Sequence, residues 1–188
     1  MAFQRSLPLA LVTLAMLAGD PLWEGGGDSL QARGSSPDGY LRAVALHFEV
    51  PLEEVQVLAD WGLPMEEVPV VLLMAERSGV ASDAIIALRR GGASWMSLAQ
   101  RYGLDAGTFH ISLTADEAGD LLGAVRDRFQ SAPPGQWAGI QLSDSEVVAL
   151  VNVRILSREL GVSAGRVVEA RTASDDFVQA YGTLLPGG

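Results

Sequence analysis

His47 and His110 are the chain's two imidazoles, and it has no cysteine. These two side chains are therefore its candidates for a neutral-pH base or a nitrogen ligand to a transition metal. Neither has a second His at ligand spacing. His110 stands in a mostly apolar run between Asp105 and Asp116. A His paired with one of those carboxylates is the arrangement from which an acid–base enzyme could be built here. The adjacent carboxylates Glu53-Glu54, Glu66-Glu67 and Asp175-Asp176 each fall where a helix should begin. Acids there complement the helix dipole, and that explains them better than paired catalysis does. Asp116, Glu117 and Asp120 could hold a divalent cation weakly, but they lack the alternating oxygen ligands of a calcium loop. Gly25-Gly26-Gly27 precedes Asp28 with no Lys, so it is no phosphate loop, and no serine stands in a nucleophile elbow. No catalytic residue, metal ligand or cofactor site is assigned from these patterns, and the chain reads as a non-enzyme.

Charge offers a second kind of chemistry. The 188 residues carry a formal charge of −10, and all 13 basic side chains are Arg. That balance argues against polyanionic partners such as nucleic acid or an anionic lipid surface. Arg154 and Arg158 are one helical turn apart, and with Arg166 and Arg171 they make the C-terminal third the most basic part. They suggest a contact face for an acidic partner; the competing reading is a solvated face paired internally with Glu159 and Glu169. Trp23 is an isolated aromatic in a Gly/Ser/Pro-rich stretch and could dock on a partner. Trp23, Arg154, Arg158 and Arg166 are accordingly the candidate partner-binding residues.

The elements that must position these groups emerge from a recurrence. Val50, Val80 and Val162 each start a unit with Val55, Ile85 and Val167 five residues on, and Leu58, Leu88 and Ala170 eight on. Gly62, Gly92 and Ser174 stand at twelve, Met65, Trp95 and Phe177 at fifteen, and Val68, Leu98 and Ala180 at eighteen. This is the spacing of a hydrophobic staple, a buried stripe, a chain reversal and a large apolar residue opening the next helix. The fold predicted is all-α, with irregular helical-hairpin repeats in one compact domain over residues 40–185. Helices are expected over Arg42–Phe48, Leu52–Trp61, Met65–Ser78, Ser82–Arg90 and Trp95–Tyr102. Pro69 predicts either a kink in the third or a start near Val68. Capping boxes at Thr114/Glu117 and Ser143/Glu146 open helices to about Gln130 and to Leu160. Ser163 and Ser174 are read as caps of the last two helices. Residues 104–113 and 131–137 have no helical period.

Gly92 to Phe109 (GASWMSLAQRYGLDAGTF) resembles the first helix and turn of a helix-turn-helix DNA-binding motif, with Ala99 and Gly103 four apart. The resemblance implies a recognition helix after Asp105. The sequence there has Gly107 and Phe109-His110-Ile111, and no Arg between Arg101 and Arg126 to read bases or meet phosphates.

At the start of the chain, Arg5 precedes the apolar run Leu7–Ala18, which is too short for an ordinary span of ~20 residues. Residues 1–19 read as an export signal and residues 20–39 as a flexible linker. The sequence-based expectation is thus an exported, non-catalytic interaction or scaffolding protein of the bacterial envelope, periplasmic or secreted. Its partner is an unidentified protein, with no nucleic acid, and with a membrane only if residues 7–18 are retained as an anchor. The alternatives are DNA binding through residues 92–109 and an enzyme using His110.

Overall fold

A computed structural model describes residues 37–185. The signal-like segment 1–19, Trp23 and most of the expected linker lie outside these residues. The described residues form nine α-helices and three 3-10 turns, with no strand. No helix among them is long and apolar enough to cross a membrane.

Helix α1 (Pro37–Phe48) starts inside the stretch read as linker. Pro37 at its first position fits, because a first-turn residue has no N–H partner to lose. Helix α2 (Leu52–Ala59) ends before Gly62, whose φ of 81° supplies the left-handed reversal. A 3-10 turn, Met65–Glu67, then leads into α3 (Val68–Ser78). Pro69 sits in the first turn of α3, so the α-helix begins at Val68 and is not kinked. Helices α4 (Ser82–Arg90), α5 (Trp95–Arg101), α6 (Ala115–Ser131), α7 (Asp144–Leu160), α8 (Ala164–Thr172) and α9 (Phe177–Leu184) complete the order. Both capping boxes form: Thr114 with Glu117 opens α6, and Ser143 with Glu146 opens α7.

Three details depart from the sequence reading. Helix α9 is capped by Asp176, whose carboxylate accepts from Gln179 N at 2.8 Å, while the carbonyl of Ser174 takes the Arg171 guanidinium. The acid wins because it stands immediately before the helix, where its carboxylate reaches the third helical N–H, while Ser174 stands two residues too early. Helix α6 is interrupted at Gly119, with φ 49° and ψ −155°. Residues Pro134–Gly139 form a 3-10 turn where the sequence reads as a plain loop.

The core is organised by α7. Val147 to Val153, then Ile155 and Leu156, are buried on every side of this helix. A helix apolar all round is a central one. Helices α1, α3, α5, α6, α8 and α9 all pack on it. The three recurring segments share local form: α2, α4 and α8 each begin two residues after Val50, Val80 and Val162, and Met65, Trp95 and Phe177 each open the next element. Their second helices α3, α5 and α9 all meet α7, so the segments contribute to one common core.

Two polar ties, the first buried and the second part-buried, fix this arrangement. Tyr40 Oη donates to Asn152 Oδ1, and Asn152 Nδ2 donates to the carbonyls of Glu66 and Val148, both at 2.9 Å. Glu66 in turn accepts from Phe177 N at 3.0 Å and caps α9. Burial, with Glu66 and then Asp176 nearby, pushes the Tyr40 hydroxyl well above its ordinary pKa, so it remains a donor. In the second tie, Arg89 grips Glu67 with Nε and Nη2 at 2.9 and 2.7 Å and gives Nη1 to Asp144. Its guanidinium lies 4.8 Å from the centroid of the buried Trp95 ring, and Asp144 accepts Trp95 N at 2.8 Å.

Candidate functional site

The stretch 104–113 has no period because it is built turn by turn. Asp105 Oδ1 accepts from Gly107 N at 2.8 Å and opens the 3-10 turn Ala106–Thr108. Phe109 anchors the turn in the core. His110 N closes it by donating to the Gly107 carbonyl at 3.2 Å. From there the backbone runs without helical structure to the Thr114 cap. Among the described residues, the N–H groups of Ile111, Ser112 and Leu113 have no hydrogen-bond acceptor. This irregular stretch therefore leaves three consecutive backbone donors open.

This donor edge forms one side of a groove of about 530 Å³. The end of α6 supplies Arg126, Phe129 and Gln130 to the opposite side, and Pro133, Pro134 and Trp137 complete it. The floor is aromatic. The His110 imidazole lies 4.2 Å from the Trp137 ring centroid and meets Phe129 edge-on at 4.8 Å. Phe129 and Trp137 are themselves edge-to-face at 5.2 Å. Trp137 is held by its indole N–H, which donates to the carbonyls of Ala132 at 3.0 Å and Phe129 at 3.3 Å. Gly107 leaves room for this ring, since a Cβ there would stand 3.3 Å from Trp137 Cε3.

His110 also borders a second pocket of about 430 Å³, lined by Arg77, Leu104, Gly107, Thr108 and Arg154. No acidic residue lines either pocket. Arg154 reaches across from α7 and donates Nη2 to the carbonyls of Thr108 at 3.1 Å and His110 at 2.8 Å. Those bonds fix the guanidinium, and its Nε and Nη1 bond no group among the described residues. Burial first, and the charge of Arg77 second, lower the Arg154 pKa. Burial first, and Arg154 second, lower that of His110, so its imidazole is neutral at neutral pH. The combination is a cluster of three mutually tilted rings that includes a neutral imidazole, open backbone donors, and a cationic pocket beyond.

The sequence-predicted candidates do not form one face. Arg154 lines the cationic pocket. Arg158 is exposed, with Nε 4.0 Å from Glu159, and Arg166 is exposed and pairs with Glu169 at 3.2 Å. Neither lines the groove or the cationic pocket. Trp23 lies outside the described residues. His110 has neither suggested carboxylate as a hydrogen-bond partner: Asp105 holds the turn and Asp116 is exposed in the first turn of α6. Among the described residues no three His, Asp or Glu side chains converge as a metal set. In the stretch that resembles a helix-turn-helix, α5 is succeeded only by the single turn Ala106–Thr108, too short to lie in a groove of DNA.

Sequence reasoning missed Arg77, Phe129, Trp137 and the edge Ile111–Leu113. The one local signal was an aromatic after Pro133-Pro134 in a loop, which is where docking side chains often stand. No known protein family, curated protein or solved structure matches the chain.

Proposed function

We propose that this chain is a non-catalytic helical binding module that takes an extended, largely apolar segment of a partner protein in the groove beside His110, and that it works outside the cytoplasm. The observation that carries the reading is the meeting of an aromatic floor with an unpaired backbone edge. Extended peptides are recognised by that pair of features: main-chain hydrogen bonds along an edge, and a pocket for an apolar side chain. Tyr, Trp and His rings supply contact area at low cost in side-chain entropy. The export half of the proposal rests on the Arg5 and Leu7–Ala18 pattern.

The test is site-specific photo-crosslinking in the native host. A photoreactive residue at Gln130, exposed on the groove, should give a discrete adduct with one partner protein, and Trp137→Ala should abolish it. The same group at Asp83, exposed on α4 and outside the groove, should give none. Equal adducts at both positions, or adducts indifferent to Trp137→Ala, would overturn the reading.

A further inference from the structure

We propose that the pocket between Arg77 and Arg154 receives the free C-terminal carboxylate of the segment held in the groove, so that the module reads the end of a partner chain whose last residues are apolar. This rests on the groove being the peptide site. Its own evidence is charge and placement.

The chain carries 23 acidic side chains, and an anionic ligand is repelled by most of its surface. Around His110 the balance is reversed. The lining of the two pockets contains Arg77, Arg126 and Arg154 and no acid. Arg126 already has Asp127 as a partner, at 2.9 Å from its Nε. Among the described residues, Arg77 has only the neighbouring Glu76, 3.7 Å from its Nε and more than half exposed. Arg154 has no carboxylate within ion-pair distance among the described residues. Two guanidinium groups therefore line one pocket, and Arg77 disfavours the charge of Arg154, an effect that exposed Glu76, outside the pocket lining, partly offsets. Arg154 is already oriented by the Thr108 and His110 carbonyls, with two donors left over. A carboxylate oxygen placed there would accept one charge-assisted hydrogen bond from Nε or Nη1, and contacts of that kind are the stronger hydrogen bonds.

The position favours a chain end over an internal residue. His110 is a wall of both pockets, so the anion site adjoins the aromatic floor directly. In a peptide paired with Ile111–Leu113, a terminal carboxylate lies one bond from the Cα whose apolar side chain would rest on His110 and Trp137. An internal Asp or Glu would have to bring its own side chain to the cationic pocket and leave the aromatic floor to a neighbour pointing the opposite way, because successive side chains of an extended strand alternate.

The measurement uses the isotope-labelled full chain and synthetic acetylated pentapeptides, monitored by amide and indole NMR shifts. The probe is Ala-Ala-Val-Ala-Leu with a free carboxylate. It should shift the Ile111, Ser112 and Leu113 amides and the Trp137 indole. The C-terminal amide of the same peptide should bind the same residues at least about tenfold more weakly. Arg77→Gln should weaken the free acid several-fold and leave the amide unchanged; Arg77 is exposed and bonds only the exposed Glu76 among the described residues, so this variant avoids the structural bonds of Arg154. Equal binding of acid and amide would overturn the carboxylate site while leaving the groove reading intact. A peptide amide with an internal Glu that binds as well as the free acid would overturn end recognition. Acetyl-leucine binding as tightly as the pentapeptide would make the ligand a small carboxylate and overturn the peptide assignment. Absence of any shift with every probe would overturn this inference together with the groove reading.

Discussion

His110 illustrates how a single residue is defined by its surroundings. Its ring packs against two aromatics that also touch each other, and its carbonyl is gripped by a guanidinium. Burial and that positive charge hold its pKa below the ordinary 6.5. The folded chain therefore binds the His110 proton less readily than the unfolded chain. The stability linked to this residue is fully present above the unfolded value of 6.5 and is lost as pH falls below it, down through the lowered folded value. Denaturant midpoints measured at about pH 7.5 and about pH 5.5 should show a loss on acidification that is smaller in His110→Gln. An unchanged pH profile in that variant would mean that His110 is not the group responsible. Burial likewise separates two positions that the recurrence treats alike. Trp95 is fully buried, with 0% exposure, while Leu88 is only partly covered. Trp95→Ala should cost ~3–5 kcal/mol and Leu88→Ala less than ~2 kcal/mol in equilibrium unfolding. A sequence period shows which side of a helix faces inward, but the depth of each position is set by neighbours distant in the chain.

The helix boundaries were legible because their causes are local. Thr114 with Glu117 and Ser143 with Glu146 each satisfy two backbone donors within four residues, so the same residues appear as a pattern and as hydrogen bonds. Pro69 similarly announced the delayed start of α3. The groove was not legible. It joins His110 to Phe129 and Trp137 across different elements, and no spacing records that α6 and the Pro134 turn close over the 110–113 edge. The break in α6 escaped as well, because Gly119 and Gly123 look equivalent in the sequence. Gly119 has φ 49° and ψ −155°, a region that side chains with a Cβ avoid. Gly123 has no left-handed backbone and has open space where a Cβ would stand. One substitution should thus have opposite outcomes at the two positions. Gly119→Ala should destabilise by ~1–3 kcal/mol, the cost of a strained backbone. Gly123→Ala should stabilise by ~0.5–1 kcal/mol through helix propensity. Thermal melts of the two variants check the pair, and equal shifts of the same sign would show that α6 runs unbroken.

At the scale of the whole molecule the question is whether the recurring segments behave as separable units or as one. A linear stack would unfold as nearest-neighbour units, with more than one transition when a single interface is weakened. The contacts argue otherwise, because six helices share α7 and the segments α1 and α9, at opposite ends of the described chain, meet at one buried point. There Asn152, with 0% exposure, accepts from Tyr40 and donates to the Glu66 carbonyl, Glu66 caps α9 through Phe177 N, and Tyr181 rests edge-on against Tyr40 at 6.2 Å. Asn152→Ala removes the partners of a buried hydroxyl and a carbonyl without adding bulk to the core. Leaving such groups unsatisfied should cost ~2–4 kcal/mol in total. Calorimetry of the full chain in the presence of chelator should then show one transition at lower temperature, with the calorimetric and van't Hoff enthalpies still equal. Hydrogen exchange should rise together in α1 and in the first turn of α9, because both lose the same anchor. Two resolved transitions, or faster exchange confined to one of those helices, would mean that the segments fold as independent units and that α7 does not unify the core.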